Sequence, residues 1–208
     1  MPKLEPRAPK RIALKLAAAA STGLALLSVL GSAPALAASG ATCEGQIFTQ
    51  PFSLFGDNNY YMLVPGSQFN TGGEGWQLSN GAHITESIRP FGLGGDVLEL
   101  PSGAEAVSPP VCVNMTYETA KAWVRRINGG GNLKVFVSYA GTKSENKPAK
   151  VAKFRPGSWW SAEAFEVEPG LVSGEAEEAR EVRFVFSAGG GESTDYQLYG
   201  VYVDPRML

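Results

Sequence analysis

Short apolar runs with a two-residue alternation, set between turn signals, constrain this chain more than any other feature. Leu133, Val135, Val137 and Tyr139 alternate with Lys134, Phe136 and Ser138. Val182, Phe184 and Phe186 do the same against Glu181, Arg183 and Val185, and Val111, Val113 and Met115 against Cys112 and Asn114. A period of two puts one set on each face of a strand, whereas a helix would need a period of 3.6. Tyr60–Val64 stops at Pro65-Gly66, Val97–Leu100 stops at Pro101, and Tyr196–Val203 forms a long last run. Asn80-Gly81 joins Trp76–Ser79 to Ala82–Glu86 and predicts a two-residue hairpin. Ala120–Asn128 can be drawn as a helix, but Trp123, Arg125 and Ile127 alternate with Ala122, Val124 and Arg126, and strands flank it, so a strand is expected. Glu175–Arg180 reads as a loop or single turn, and Lys143–Lys150 as a polar loop. Eight to ten short strands with Gly-rich turns predict an all-β antiparallel sandwich.

The first 37 residues read differently. Lys3, Arg7, Lys10, Arg11 and Lys15 precede an uncharged stretch from Leu16 to Leu30, and Gly31, Ser32 and Pro34 then break the helix ahead of Ala35-Leu36-Ala37. Basic, apolar, small is the order of a secretory signal. A membrane anchor usually needs about 20 apolar residues, and Gly31 and Pro34 cut this run short. The expectation is a signal helix at 1–37, cleaved after Ala37, and a domain at 38–208 that is secreted, extracellular and without a membrane span. Beyond position 37 there are 13 basic and 19 acidic residues, a net charge of −6. That argues against nucleic acid and against electrostatic docking on an anionic membrane.

Cys43 and Cys112 are the two cysteines of the chain, and both follow the leader. An exported chain permits a disulfide between them. It would close a loop of about 70 residues, worth ~4 kcal/mol on the loop-entropy account. The alternative is two unrelated thiols.

Leu63-Val64-Pro65-Gly66-Ser67-Gln68-Phe69, Gly72-Gly73-Glu74-Gly75-Trp76 and Ala82-His83-Ile84 together resemble the opening of carbohydrate-binding modules of families four and nine. The resemblance implies a jelly-roll sandwich of the galactose-binding-like type. Asp195 to Pro205 is similar to the last strand of that fold, with Tyr199-Gly200-Val201 where related strands often carry Asp-Asp-Val. Together with Cys43, Pro51-Phe52 and Ser108-Pro109-Pro110-Val111-Cys112-Val113, these segments resemble secreted, single-domain proteins of actinobacterial type with no assigned function. Fold likeness does not carry a function with it.

No residue constellation names a reaction. The single histidine, His83, lies in a strand-like run, and one histidine cannot build both a triad and a metal cluster. There is no Gly-x-Ser-x-Gly elbow, no zinc spacing, and neither Gly129–Gly131 nor Gly189–Gly191 ends in the Lys-Ser/Thr of a phosphate loop. The expectation is therefore no enzyme. Asp57, beside Asn58-Asn59, and Asp204 could approach one another and offer oxygen ligands to a structural calcium. The plainer use of Asp57 is an Asx turn ahead of a strand.

Aromatic stacking on the apolar face of a sugar ring is the remaining route to a function. Trp159-Trp160 follows the Pro156-Gly157-Ser158 turn, and strand alternation there would bury one ring, with Trp160 expected as the buried one, and expose the other. Tyr60-Tyr61 poses the same alternative, while Trp76 and Trp123 are expected in the core. The expected function is weak, non-catalytic binding of a glycan or cell-envelope polysaccharide by a monomer, through Trp159, Trp160, Tyr60 and Tyr61. The alternative is a structural or interaction protein of the cell surface with no small ligand.

Overall fold

The computed structural model describes residues 46–113, 119–141, 143, 145–167, 180–189 and 193–204, all within the unit Ala37–Leu208. The leader, Cys43, Met115, Pro205 and most of Glu175–Arg180 lie outside the described residues.

Thirteen strands appear among the described residues, with two 3-10 turns (Ser53–Phe55 and Pro90–Gly92) and no α-helix. They are β1 (Phe48–Thr49), β2 (Tyr61–Leu63), β3 (Gln77–Ser79), β4 (His83–Ile88), β5 (Gly94–Pro101), β6 (Glu105–Val107) and β7 (Val111–Val113). Then follow β8 (Thr119–Asn128), β9 (Asn132–Tyr139), β10 (Ala149–Phe154), β11 (Ser161–Glu166), β12 (Arg180–Gly189) and β13 (Asp195–Asp204). Every pairing is antiparallel, and the strands form a seven-stranded and a six-stranded sheet. The expected jelly-roll-like sandwich is thus observed, and 120–128 is strand rather than helix.

The alternating runs meet face to face as read. Leu133, Val135, Val137 and Tyr139 of β9 and Val182, Phe184 and Phe186 of β12 pack against Leu98, Leu100, Ala120, Ala122, Val124 and Leu198 of the other sheet. Trp76 joins them, its indole N–H donating to the Pro65 carbonyl at 3.0 Å.

Asn80-Gly81 makes the expected tight turn, with φ of 53° and 90° and Ala82 N–H bonded to the Ser79 carbonyl. It does not make the expected hairpin. β3 pairs with β6 in the six-stranded sheet and β4 with β5 in the seven-stranded one, so the turn carries the chain from one sheet to the other. Ser108 solves a different problem. Pro109 and Pro110 have no N–H to give, and the buried Ser108 hydroxyl accepts the Phe184 N–H at 2.9 Å, bridging the gap between β6 and β7.

β13 is the hub of the larger sheet. β8 runs along one edge of it, and the other edge is shared by β5 at the start and β2 at the end. Tyr196 and Leu198 face the core; so do Val201 and Val203. Strict alternation cannot do both. A bulge places Tyr199 and Gly200 opposite Trp123 alone and resets the phase. Gly200 has φ of 59°, and a Cβ there would stand 2.8 Å from the Tyr202 ring. Ser67, fully buried, fastens the bulge: its carbonyl accepts Gly200 N–H at 2.7 Å, and its hydroxyl accepts Val201 N–H at 3.1 Å while donating to the Val64 carbonyl.

Ser67→Ala should strand the Val201 N–H in the core and lower the unfolding free energy by about 1–3 kcal/mol. Urea denaturation reads this directly, and a loss below about 0.5 kcal/mol would contradict the clasp.

Candidate functional site

The bulge gives the larger sheet a second apolar face. Tyr199 and Tyr202 both point outward, in register with Trp123 and Lys121 of β8. Phe52, Tyr61, Trp123 and Tyr202 form a buried cluster there, with Leu63, Trp160 and Tyr199 packed against it. Trp123, expected to be core, is buried, and the core it joins is this outer cluster rather than the one between the sheets. Two loops make that possible. The turn at Ser53–Phe55 and the turn at Pro90–Gly92 fold across the face, and Phe55 and Phe91 both meet the Trp123 ring, at 5.6 and 5.2 Å between centroids.

Phe55 and Phe91 also touch one another at 5.7 Å, and each remains 59% exposed. Phe91 has φ of 71°, a conformation a bulky residue adopts only when its surroundings hold it. Arg89 is the holder. Its backbone N–H bonds the Leu93 carbonyl at 2.7 Å, and its guanidinium bonds the Asp96 carbonyl and the Asn70 side chain while lying 5.2 Å from the Tyr199 ring centroid. Gly95 leaves the room that this guanidinium fills.

A polar layer crosses four adjacent strands beneath Trp160. Gln197 donates to Glu99 at 2.9 Å and accepts from Ser87 and from both Nε and Nη2 of Arg125. Arg125 also donates to Ser87, and its guanidinium sits 4.9 Å from the Trp160 ring centroid. Above it, the Trp160 N–H donates to the Ile88 carbonyl at 2.8 Å. Trp160 is therefore held on ring face and ring nitrogen, and half-buried. Trp159, one residue earlier in the bend ahead of β11, is 86% exposed.

The tyrosine pair splits as well. Tyr60 is half-exposed, whereas Tyr61 is completely buried, with its hydroxyl donating to Asp57 at 2.6 Å. Tyr61 offers no face to a ligand and belongs to the supporting cluster. Phe55 and Phe91 escape the alternation rule because they sit in turns. Their signal in the sequence is an aromatic inside Pro-Phe-Gly and Leu-Phe-Gly, where turns usually carry polar residues.

Asp57 and Asp204 do converge, through Asn59. The Asn59 N–H bonds Asp57 Oδ1 at 3.1 Å in an Asx turn, and its side-chain amide lies 3.5 Å from Asp204 Oδ2, which Thr119 also reaches. The cation beside Asp57 is the Lys121 ammonium, paired with Oδ2 and lying between the Phe52 and Tyr61 rings, at 5.1 and 5.2 Å from their centroids. Lys121 thus supplies at Asp57 the positive charge that the calcium reading assigned to a metal. Among the described residues no group of three His, Cys, Asp or Glu side chains is placed to hold a metal ion. His83 stands on β4 at the sheet edge, 3.9 Å from Glu99. No cysteine among the described residues is free, and the Cys43 half of the expected bridge lies outside them. Among the described residues no helix is long and apolar enough to cross a membrane.

No protein-family model matches the chain, and no curated protein matches it. Solved structures do. The xylan-binding CBM22-1 domain from Paenibacillus barcinonensis shares 12% identity, with 68% of this chain and 93% of that one covered at a TM-score of 0.47. The K1 cleaved adhesin domain of Lys-gingipain from Porphyromonas gingivalis shares 10%, covering 66% and 95% at 0.49. A family 61 carbohydrate-binding module solved with β-1,4-galactotriose shares 11%, covering 67% and 95% at 0.45. At such identities the likeness is one of fold alone.

The Asp57–Lys121 pair makes a pH prediction. Burial raises the Asp57 pKa, but the hydrogen bonds from Lys121, Tyr61 and the Asn59 amide outweigh it and hold the carboxyl below its usual value of 3.8. Its contribution to stability is complete above the unfolded value and fades as pH falls through the folded one. Asp57→Asn should cost about 1 kcal/mol at pH 7 and flatten the acid limb of the stability curve. An unchanged acid limb in thermal melts from pH 6 to 2 would refute the pairing.

Proposed function

We propose that this chain is an exported, monomeric, non-catalytic domain that binds a glycan of the cell envelope weakly, with Trp159 as its stacking platform. One observation carries the reading: an indole exposed over most of its surface stands next to another that is locked in place. Exposing a whole indole to water has a hydrophobic cost that a packed side chain would avoid. Trp160, tied to Ile88 and Arg125, anchors the bend and so limits the conformations Trp159 can take. A sugar ring stacking on it loses little extra freedom. Phe55, Phe91 and the half-exposed Tyr60 offer further apolar surface on loops, and Trp160 acts as a positioning residue. The leader supports export with cleavage near Ala37, and the two cysteines support a Cys43–Cys112 bridge tying the new terminus to β7. The alternative, a surface protein with no small ligand, differs in one measurable respect, which is retention on polysaccharide.

Trp159→Ala should weaken retention on insoluble polysaccharide by about 1–3 kcal/mol, a range taken from base–aromatic stacking, and leave the melting temperature nearly unchanged. Equal retention by wild type and variant would refute the platform and favour the alternative. For the processed chain, mass spectrometry should find a first residue near Ala38, and non-reducing peptide maps should link Cys43 to Cys112. A product that keeps residues 1–37, or maps with both thiols free, would refute those two assignments.

A further inference from the structure

Two uncharged hexapeptides share one order of residues. Pro51-Phe52-Ser53-Leu54-Phe55-Gly56 and Pro90-Phe91-Gly92-Leu93-Gly94-Gly95 both read Pro-Phe-x-Leu-x-Gly. The fold brings them together. Each contains one of the two 3-10 turns, and their rings meet over Trp123, Phe55 against Phe91 at 5.7 Å. Neither leucine joins the cluster beneath: Leu54 is 89% exposed and Leu93 67%. With Phe55 and Phe91 they make four of the nine large hydrophobic side chains exposed among the described residues. A single exposed leucine needs no explanation, but four bulky apolar groups on two adjoining tips mark a contact surface. The tips are also held in shape. Phe55 N–H bonds the Phe52 carbonyl at 2.9 Å and Gly56 N–H the Ser53 carbonyl at 3.0 Å, while Arg89 N–H and the Leu93 carbonyl close the second turn. Both leucines are therefore presented with little backbone freedom left to lose.

The chemistry of the tips selects what covers them. Ser53 has the only polar side chain in the twelve residues. A protein interface carries about one hydrogen bond per 100–200 Å², for which the tips have almost no side-chain donors or acceptors. A sugar needs polar partners and a flat face to stack on, and leucine gives neither. A second copy of this chain would need roughly 20–30 residues on each side, against four bulky side chains here. Acyl chains ask for neither hydrogen bonds nor a shaped pocket, and aliphatic groups projecting from turns suit them. Charge then narrows the kind of lipid. Glu86 and Asp96 are cross-strand partners two register steps behind the second tip, and the chain beyond position 37 carries a net −6. Anionic headgroups would repel such a surface, whereas zwitterionic or uncharged ones would not.

We propose that Leu54 and Leu93, flanked by the rings of Phe55 and Phe91, insert shallowly among the acyl chains of a lipid layer with zwitterionic or uncharged headgroups and hold the domain reversibly at its surface. Insertion at these tips uses leucines that glycan stacking does not, and stands or falls without Trp159.

Residues 37–208 hold both sheets and both packed clusters, so this unit folds without the leader, whose own apolar run would bind lipid. The unit and its variant Leu54→Ser/Leu93→Ser are floated with vesicles of phosphatidylcholine alone and of phosphatidylcholine mixed with phosphatidylglycerol. The leucines are replaced rather than the phenylalanines because Phe55 and Phe91 also pack on Trp123. Wild type should float with pure phosphatidylcholine vesicles and no better with the anionic mixture, and added salt should not release it. The double variant should bind about tenfold or more weakly, while its melting temperature and its retention on polysaccharide stay as in wild type. Trp159→Ala should show the reverse pattern, so failure of one surface is told apart from failure of the other. No flotation of the wild type, flotation that survives the double substitution, or flotation that needs anionic lipid and is abolished by salt would each overturn the proposal. So would a concentration-dependent dimer that the double substitution dissociates, since a second copy of the chain would then cover the tips.

Discussion

The outer architecture of the larger sheet depends on how Ser67 clasps the bulge at Gly200. One serine satisfies two backbone N–H groups and one carbonyl at the centre of the sheet, in a place where none can reach water. Leaving any of them unpaired would cost about 1–3 kcal/mol. Because the bulge takes up one extra residue, Val201 and Val203 stay in the core while Tyr199 and Tyr202 both turn outward. Without the phase change, the last strand would lose either its core contacts or its outer ones. The segments joined by the clasp, Leu63–Phe69 and Asp195–Asp204, are two of those on which the likeness to carbohydrate-binding modules rested.

An outer face rich in aromatics must then be covered or used. Most of it is covered. Phe52 closes over Tyr61, Trp123 and Tyr202, and the Lys121 ammonium sits between rings with Asp57 as its counter-ion. A partly buried cation gains from such a partner, and Asp57 is available because the Asx turn presents it. The polar layer through Ser87, Glu99, Gln197 and Arg125 extends that face to Trp160. Among the described aromatics, Phe55, Phe91 and Trp159 stay largely uncovered, and Tyr60 about half so. The two sheets therefore offer water different chemistry, aromatic rings at the edge of one and, on the other, a groove in which Glu105, Glu145 and Arg183 surround Phe136 and Val185.

A large part of this was legible in the residues alone. Alternation in β9 and β12 identified the core face correctly, because a strand buried on one side must repeat every second residue. The division of the tryptophan pair into an exposed Trp159 and a half-buried Trp160 came out as read, but both precede β11, and contacts to Ile88 and Arg125 rather than strand alternation produce it. The Asx turn at Asp57 followed from Asp-Asn-Asn ahead of a strand. The alternation and the Asx turn are local, decided within a few residues.

Other features depend on contacts between segments far apart in the chain. Alternation could not place Trp123, because it assumes one wet face, and here loops from residues 52–55 and 90–93 cover the outer side. Asn80-Gly81 specifies a tight turn, yet whether its flanks pair with each other is settled by the competing edges of β5 and β6. Phe55 and Phe91 lie 36 positions apart and meet only over Trp123. The sequence by itself thus determined strands, turns and which residues are apolar, through backbone sterics and hydrophobic periodicity. Only tertiary structure decided which outer face was covered and that Lys121 meets Asp57, because both depend on groups brought together by sheet pairing and loop packing.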